Sequence, residues 1–239
     1  MNTNTVPAEE VEDLIPSRPM LADQVFEAVL SLLLDDKIPT GAPLSIDGLA
    51  KRFKVSSTPV REALARLEAT GMIKREALRG YRVAPEPTAK DAVALLTTRQ
   101  VLEPACARLA CENSASTLVA ELERVHRILD QSRHGGSTFA GYRAYWRADE
   151  EFHRLIVEAT DNEFLIRAYG SVEGHIQRFR LMVQNDLSGD DTQLEHEAII
   201  EAFRANDTAL AETAMAAHIS GIGCRLRGLP RFNPDLDAD

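Results

Sequence analysis

The stretch Leu49-Ala50-Lys51-Arg52-Phe53-Lys54-Val55-Ser56-Ser57-Thr58-Pro59-Val60-Arg61-Glu62-Ala63-Leu64-Ala65-Arg66-Leu67-Glu68-Ala69-Thr70-Gly71-Met72-Ile73 decides how the chain is read. Ser57 or Thr58 is a natural N-cap. Pro59 suits a first helical turn, where its missing N–H would have no partner anyway, and Glu62 sits near the positive end of the helix dipole. Val60, Leu64 and Leu67 recur at helical spacing and face inward, which leaves Ser56, Ser57, Thr58, Arg61 and Arg66 outside. Gly71 ends the helix. Toward the N-terminus, residues 46–53 fit a short helix. Before it, Val25, Val29, Leu32 and Leu33 mark a longer one that stops at Ile38-Pro39-Thr40-Gly41. Toward the C-terminus, residues 72–75 and 81–84 read as two short strands around Ala77-Leu78-Arg79-Gly80.

Helix, short helix, turn, helix and hairpin is the order of a winged helix-turn-helix, and the charge distribution agrees with that reading. The whole chain of 239 residues carries a formal net charge of -10, yet residues 51–82 hold 9 basic and 3 acidic side chains. A basic island in an acidic protein is the footprint of a polyanion partner. The stretch 49–73 closely resembles the recognition region of GntR-family bacterial regulators. The resemblance covers roughly residues 20–85 and implies binding to double-stranded operator DNA. It implies that Arg61 reads a base edge in the major groove, that Ser56 and Thr58 bind phosphate or position the helix, and that the wing tip Arg79-Gly80-Tyr81 approaches the minor groove. Common members carry arginine where Ser57 stands, so one base contact is missing here. On the residues alone, the alternative for Arg61 is a surface ion pair and for Ser56 and Thr58 simple capping, and Arg66, counted with the DNA-facing set, suits a solvated charge better than a specific contact.

Composition and punctuation divide the rest. With 44% apolar and 27% charged residues the chain is ordinary globular material, long enough for two domains. The expected division is a tail at 1–18, a winged helix-turn-helix at 19–86, an all-helical domain at 88–228 and a second tail at 229–239. Pro85 and Pro87 supply the stiff linker. Beyond it, helices are expected at 88–113, 116–134, 138–159, 162–186, 192–205 and 207–227, packed as an antiparallel bundle, with Thr192-Gln193-Leu194-Glu195 as a capping box. The fold class is thus mainly α. No apolar run is long enough to span a membrane and the acidic N-terminus has no signal-like core, so a cytoplasmic protein is expected. Cys106, Cys111 and Cys224 lack metal or disulfide spacing and read as buried thiols.

The second domain carries a set of potential ligands. Tyr142, Tyr145, Trp146, Phe152 and Ile156 form an apolar stripe, and Asp149 and His153 fall on that same face at i, i+4. A buried carboxylate needs a cation, an arginine or a metal as partner. His196 leads the stripe Ile199, Ile200 and Phe203, and His218 shares a face with Ala214, Met215 and Ile222. One Asp and three neutral imidazoles suit zinc foremost, with nickel or another first-row divalent ion as alternatives, and exclude calcium on ligand type. His175, beside Val172, Ile176 and Phe179, also falls near an inward face, whereas His126 and His134 read as surface or loop residues.

The run Asp149-Glu150-Glu151-Phe152-His153, with His196-Glu197-Ala198-Ile199 and His218, resembles the FCD ligand-binding domain of the FadR-like branch of the same family. That resemblance spans about residues 90–222. It implies metal ligation by Asp149, His153, His196 and His218, and a small carboxylate effector on the metal's open positions; His175, from its near-inward position rather than from the resemblance, suits packing or a hydrogen bond in the effector pocket. Arg99 matches an arginine frequent in such domains and suits either a grip on the effector carboxylate or an i, i+4 ion pair with Glu103. The resulting expectation is a homodimeric regulator on a palindromic operator, with no catalytic residue assigned. Its rival is a metal-dependent hydrolase or lyase acting on a small acid, with Glu150 or Glu151 as base.

Overall fold

The computed structural model describes residues 19–35, 37–77, 80–132, 139–183 and 190–229. The chain falls into two compact units, Met1–Ala84 and Pro85–Asp239. The first contains α1 (Pro19–Leu34), β1 (Pro43–Leu44), α2 (Ile46–Phe53), α3 (Ser57–Ala69), β2 (Ile73–Glu76) and β3 (Gly80–Val83). Local chemistry explains the break between α2 and α3. Ser45 caps α2 by accepting from Gly48 N, and Lys54, left-handed at φ 57°, closes its far end. The N-cap of α3 is Ser56, one residue before the expected pair, and its hydroxyl makes no capping bond.

Val25, Val29 and Leu30 of α1 pack with Val60, Ala63, Leu64, Leu67 and Ile73 to form the core of this unit. The buried face of α1 therefore runs through Ala22, Val25, Phe26, Val29 and Leu30. Leu32 and Leu33, expected on that face, are only half-buried, near the end of α1. The sheet has the order β1-β3-β2, all antiparallel, with Leu44 opposite Tyr81 and Arg75 opposite Tyr81 on the other side. The strand β1 is too short for periodicity to reveal. At its pairing with β3, Tyr81 is largely buried, unlike the exposed Gly80 beside it.

The second unit contains α4 (Ala89–Ser132), α5 (Phe139–Glu158), α6 (Glu163–Val183), α7 (Asp190–Arg204) and α8 (Thr208–Arg227). Two expected helices, 88–113 and 116–134, are one. The junction at 113–116 contains asparagine and serines but neither glycine nor proline, and a propensity deficit of a few tenths of a kcal/mol per residue yields to packing on both sides. Cys111, Leu118 and Leu122, which flank it, all enter the same core. Pro104 lies inside α4 without ending it. Reciprocal Thr88–Asp91 bonds start this helix, and Asp207 caps α8 through Leu210 N at 2.9 Å. Because α7 already begins at Asp190, Thr192 and Glu195 form no capping box. The core joins Ala107, Leu122, Val125 and Leu129 of α4 to Phe152 and Ile156 of α5, Ile199 and Phe203 of α7, and Met215 and Ile219 of α8. Cys106 and Cys111 are buried, but Cys224 is exposed on α8 and accepts from Arg227 at 3.2 Å. The expected tails lie outside the described residues, apart from Leu229.

Candidate metal centre and nucleic-acid interface

One side of α3 is spent on the core through Pro59, Val60, Ala63, Leu64 and Leu67. The opposite side exposes Thr58 and Arg61, with Ser56 exposed just ahead of the helix and Ser57 half-buried. Arg61 makes no ion pair among the described residues, so its five donors face solvent. Arg66 is placed differently. It pairs with Asp23 of α1, and its guanidinium lies 4.5 Å over the Phe26 ring, so it links two helices of its own unit. Gly80 is exposed at φ 81°, a left-handed conformation that favours glycine, whereas Arg79 lies outside the described residues. Lys51, Arg52, Lys54, Lys74 and Arg75 are also exposed.

In the bundle, Asp149 and His153 of α5, His196 of α7 and His218 of α8 are all buried. The three histidines each offer a nitrogen within 4.8 Å of the others, and His196 Nε2 lies 3.6 Å from Asp149 Oδ1. The His196 ring stacks on Phe152, with centroids 4.0 Å apart and planes 4° from parallel. His218 Nε2 is buried with no hydrogen-bond partner while its Nδ1 lies 2.8 Å from Glu195 Oε2. An imidazole with one nitrogen engaged and the other presented to a cluster of like donors fits a first-row metal ion. Burial pushes the His218 pKa down against the pull of Glu195, which favours the neutral ring that ligation requires.

Around these four residues the structure adds Glu195 and Arg225, which the sequence pattern did not single out, and it pairs Arg99 with Glu103. Glu103 accepts from Arg99 Nε at 2.5 Å and Nη2 at 3.2 Å, and its Oε2 lies 2.6 Å from His153 Nδ1. Of the two roles left open for Arg99, the geometry thus gives the ion pair with Glu103, and both are almost fully buried, at 3% and 1% exposure. Burial alone would raise the Glu103 carboxyl, but Arg99 and His153 outweigh it and hold the group far below the usual carboxylate range. Glu195 follows the same logic. Burial raises it, while hydrogen bonds from Arg225 and His218 bring it down to about 2.

Two other histidines depart from expectation. His175 is exposed, because the adjacent Ile176 takes the inward position on α6. His126 is not a surface residue: it is half-buried in α4, its ring is 6.5 Å from that of His196, and its Nδ1 is buried without a partner. It lines a cavity of about 440 Å³ with Asp130, Asp190, Gln193 and Glu197. His134 lies outside the described residues. Glu151, one of the two bases the enzymatic alternative requires, is held by Arg124 at 2.6 Å.

Comparison with known proteins matches residues 21–83 to the model for bacterial regulatory proteins of the gntR family and residues 94–221 to that for the FCD domain. Among curated relatives, the chain is 29% identical over 204 residues to a probable D-xylose utilization operon transcriptional repressor of Paenarthrobacter nicotinovorans, covering 85% of this chain and 88% of that one. It is 35% identical over 173 residues to the Nta operon transcriptional regulator of Aminobacter aminovorans, covering 72% and 78%. Its fold is similar to that of E. coli McbR/YncC, with a TM-score of 0.66, 20% identity and coverage of 87% and 98%. A putative GntR transcriptional regulator from Rhodococcus sp. RHA1 gives a TM-score of 0.65, 19% identity and coverage of 87% and 97%.

Proposed function

The chain belongs to the gntR family of bacterial regulatory proteins and carries an FCD domain behind its DNA-binding unit, and from that premise we propose that it is a metal-dependent sensor whose operator binding responds to a small carboxylate. It is a DNA-binding transcriptional regulator. The hydrolase or lyase alternative is set aside, since its relatives are regulators of transcription. No helix among the described residues is long and apolar enough to cross a membrane, and we read the protein as a cytoplasmic homodimer that sets two copies of α3 on the half-sites of a palindromic operator.

The observation that carries this reading is the convergence of Asp149, His153, His196 and His218 inside the bundle, with the three imidazole nitrogens within 4.8 Å of one another. These residues would hold zinc, or nickel or another first-row divalent ion, and the ion would supply a Lewis-acidic position for an oxygen ligand. Charge supports a carboxylate as that ligand. Arg99 and Arg225 offset two of the three carboxylates Asp149, Glu103 and Glu195, so the site carries one net negative charge by itself and one net positive charge once a divalent cation is bound. Because Arg99 is committed to Glu103, the effector's counter-charge comes from the metal. On the other unit, Arg61 reads bases, Ser56, Ser57 and Thr58 address phosphate, and Arg79 and Gly80 form the wing tip. A ligand shifts such an equilibrium only by its differential affinity for the two states.

The test is fluorescence anisotropy on a duplex selected from a randomised pool, with metal-loaded and chelated protein, in the presence and absence of a panel of small organic acids. A change in DNA affinity that requires both metal and acid is expected. If no combination changes the affinity, the sensor reading is overturned.

A further inference from the structure

Two of the three histidines each face a carboxylate that an arginine holds. In one case Arg99 donates to both oxygens of Glu103, whose Oε2 lies 2.6 Å from His153 Nδ1. In the other, Arg225 donates from Nη1 and Nη2 to the two oxygens of Glu195, at 2.6 and 2.8 Å, and Oε2 of Glu195 is again the atom facing an imidazole Nδ1, that of His218 at 2.8 Å. In both branches an arginine fork holds a carboxylate with one oxygen turned to an imidazole. Helical spacing builds each arginine into place. Arg99 lies one turn before Glu103 on α4, and Arg225 lies two turns beyond His218 on α8.

We propose that Glu103 with Arg99, and Glu195 with Arg225, are positioning residues that fix the tautomer and ring orientation of His153 and His218, so that each presents Nε2 to a divalent metal ion. The proposal rests on the metal reading above and adds to it the groups that make the site bind tightly. A buried ion pair is weak as a source of stability, since desolvating two charges costs about what their attraction returns. Glu103 and Arg99, nearly inaccessible to solvent, are therefore better explained by what they hold than by the energy of their pairing. A carboxylate on the far nitrogen of a ligating imidazole orients the ring and raises its basicity. His196, the third imidazole, is oriented by its stack on Phe152 instead.

Gly221 gives independent support. It sits on α8 against the Glu195–Arg225 pair, and a Cβ there would collide with the Glu195 carboxylate and come within 3.1 Å of Arg225 Nη1. The carboxylate cannot simply swing aside, because Arg225 and His218 hold it. Gly221 thus leaves the room that the Glu195 branch occupies.

The experiment uses the full-length protein, stripped by chelation and titrated with Zn²⁺ against a chromogenic chelator, and separately with Co²⁺ to record its visible spectrum. Glu103→Gln, Glu195→Gln and Gly221→Ala are compared with the wild type. The wild type is expected to bind one ion per chain, and each variant to bind Zn²⁺ about 10- to 100-fold more weakly with an altered Co²⁺ spectrum. The helical circular dichroism of the metal-free protein should be unchanged. Should Glu103→Gln fail to fold with Arg99 left unpaired, Glu195→Gln and Gly221→Ala still decide the matter. Variants that bind within twofold of a metal-binding wild type with an unchanged spectrum overturn this proposal alone, whereas a wild type that binds no ion overturns the metal reading itself and this proposal with it.

Discussion

Arg61 and Arg66 share one helix and one chemistry, yet their surroundings divide them. Arg61 is exposed and unpaired among the described residues, while Arg66 is tied to Asp23 and lies over the Phe26 ring. Arg61→Ala is therefore expected to weaken binding to a selected duplex by about 1–3 kcal/mol with no change in thermal unfolding. Arg66→Ala should do the reverse, lowering stability by up to about 1 kcal/mol for a half-exposed pair and cation–π contact, with a smaller effect on DNA. Anisotropy and calorimetry on the two variants check the order, and a larger DNA effect at Arg66 would assign base reading to the wrong arginine. The same lesson applies at Arg99. Its i, i+4 spacing to Glu103 is legible in the sequence, but that spacing is identical for a surface pair such as Arg108–Glu112 and for this buried one. Only burial tells them apart.

Among the elements, the helices were legible where punctuation is strong. Pro59 and Gly71 bracket α3, and Asp207 starts α8. The α4 junction reads as a break in the sequence because asparagine and serine lower helix propensity, but they do not forbid the conformation, and the packing of Leu118 and Leu122 decides for one helix. His175 differs from expectation for a related reason: α6 offers apolar residues close to more than one face, and Ile176 rather than His175 is buried. The cap of α8 has a consequence for the site, since this helix carries His218, Gly221 and Arg225. Asp207→Ala removes the acceptor for Leu210 N and is expected to cost about 1 kcal/mol, read as a lower denaturant midpoint with unchanged slope. A slope change would show instead that the start of α8 unravels.

For the whole molecule, metal loading should act as a stability switch on the bundle. An ion that binds the folded state alone stabilises it by about 2.7 kcal/mol at a concentration one hundred times its dissociation constant. The thermal midpoint should rise by several degrees when Zn²⁺ is added to stripped protein and fall back with chelator. Asp149→Ala, which removes an expected ligand, should abolish the rise. A midpoint that ignores metal in the wild type would overturn the metal reading of these four residues.

By itself the sequence determined the two-part organisation, the outward face of α3 and the inward placement of Asp149, His153, His196 and His218. The first follows from chain length and from Pro85 and Pro87, the other two from local periodicity, since a 3.6-residue repeat assigns a side chain to a face without knowing what lies opposite. Tertiary structure alone decided which carboxylate meets which imidazole. Glu195 neighbours His196 in the chain yet contacts His218, and Glu103 reaches His153 from another helix, because contacts across a bundle depend on how helices are rotated and staggered against one another, which no single helix encodes.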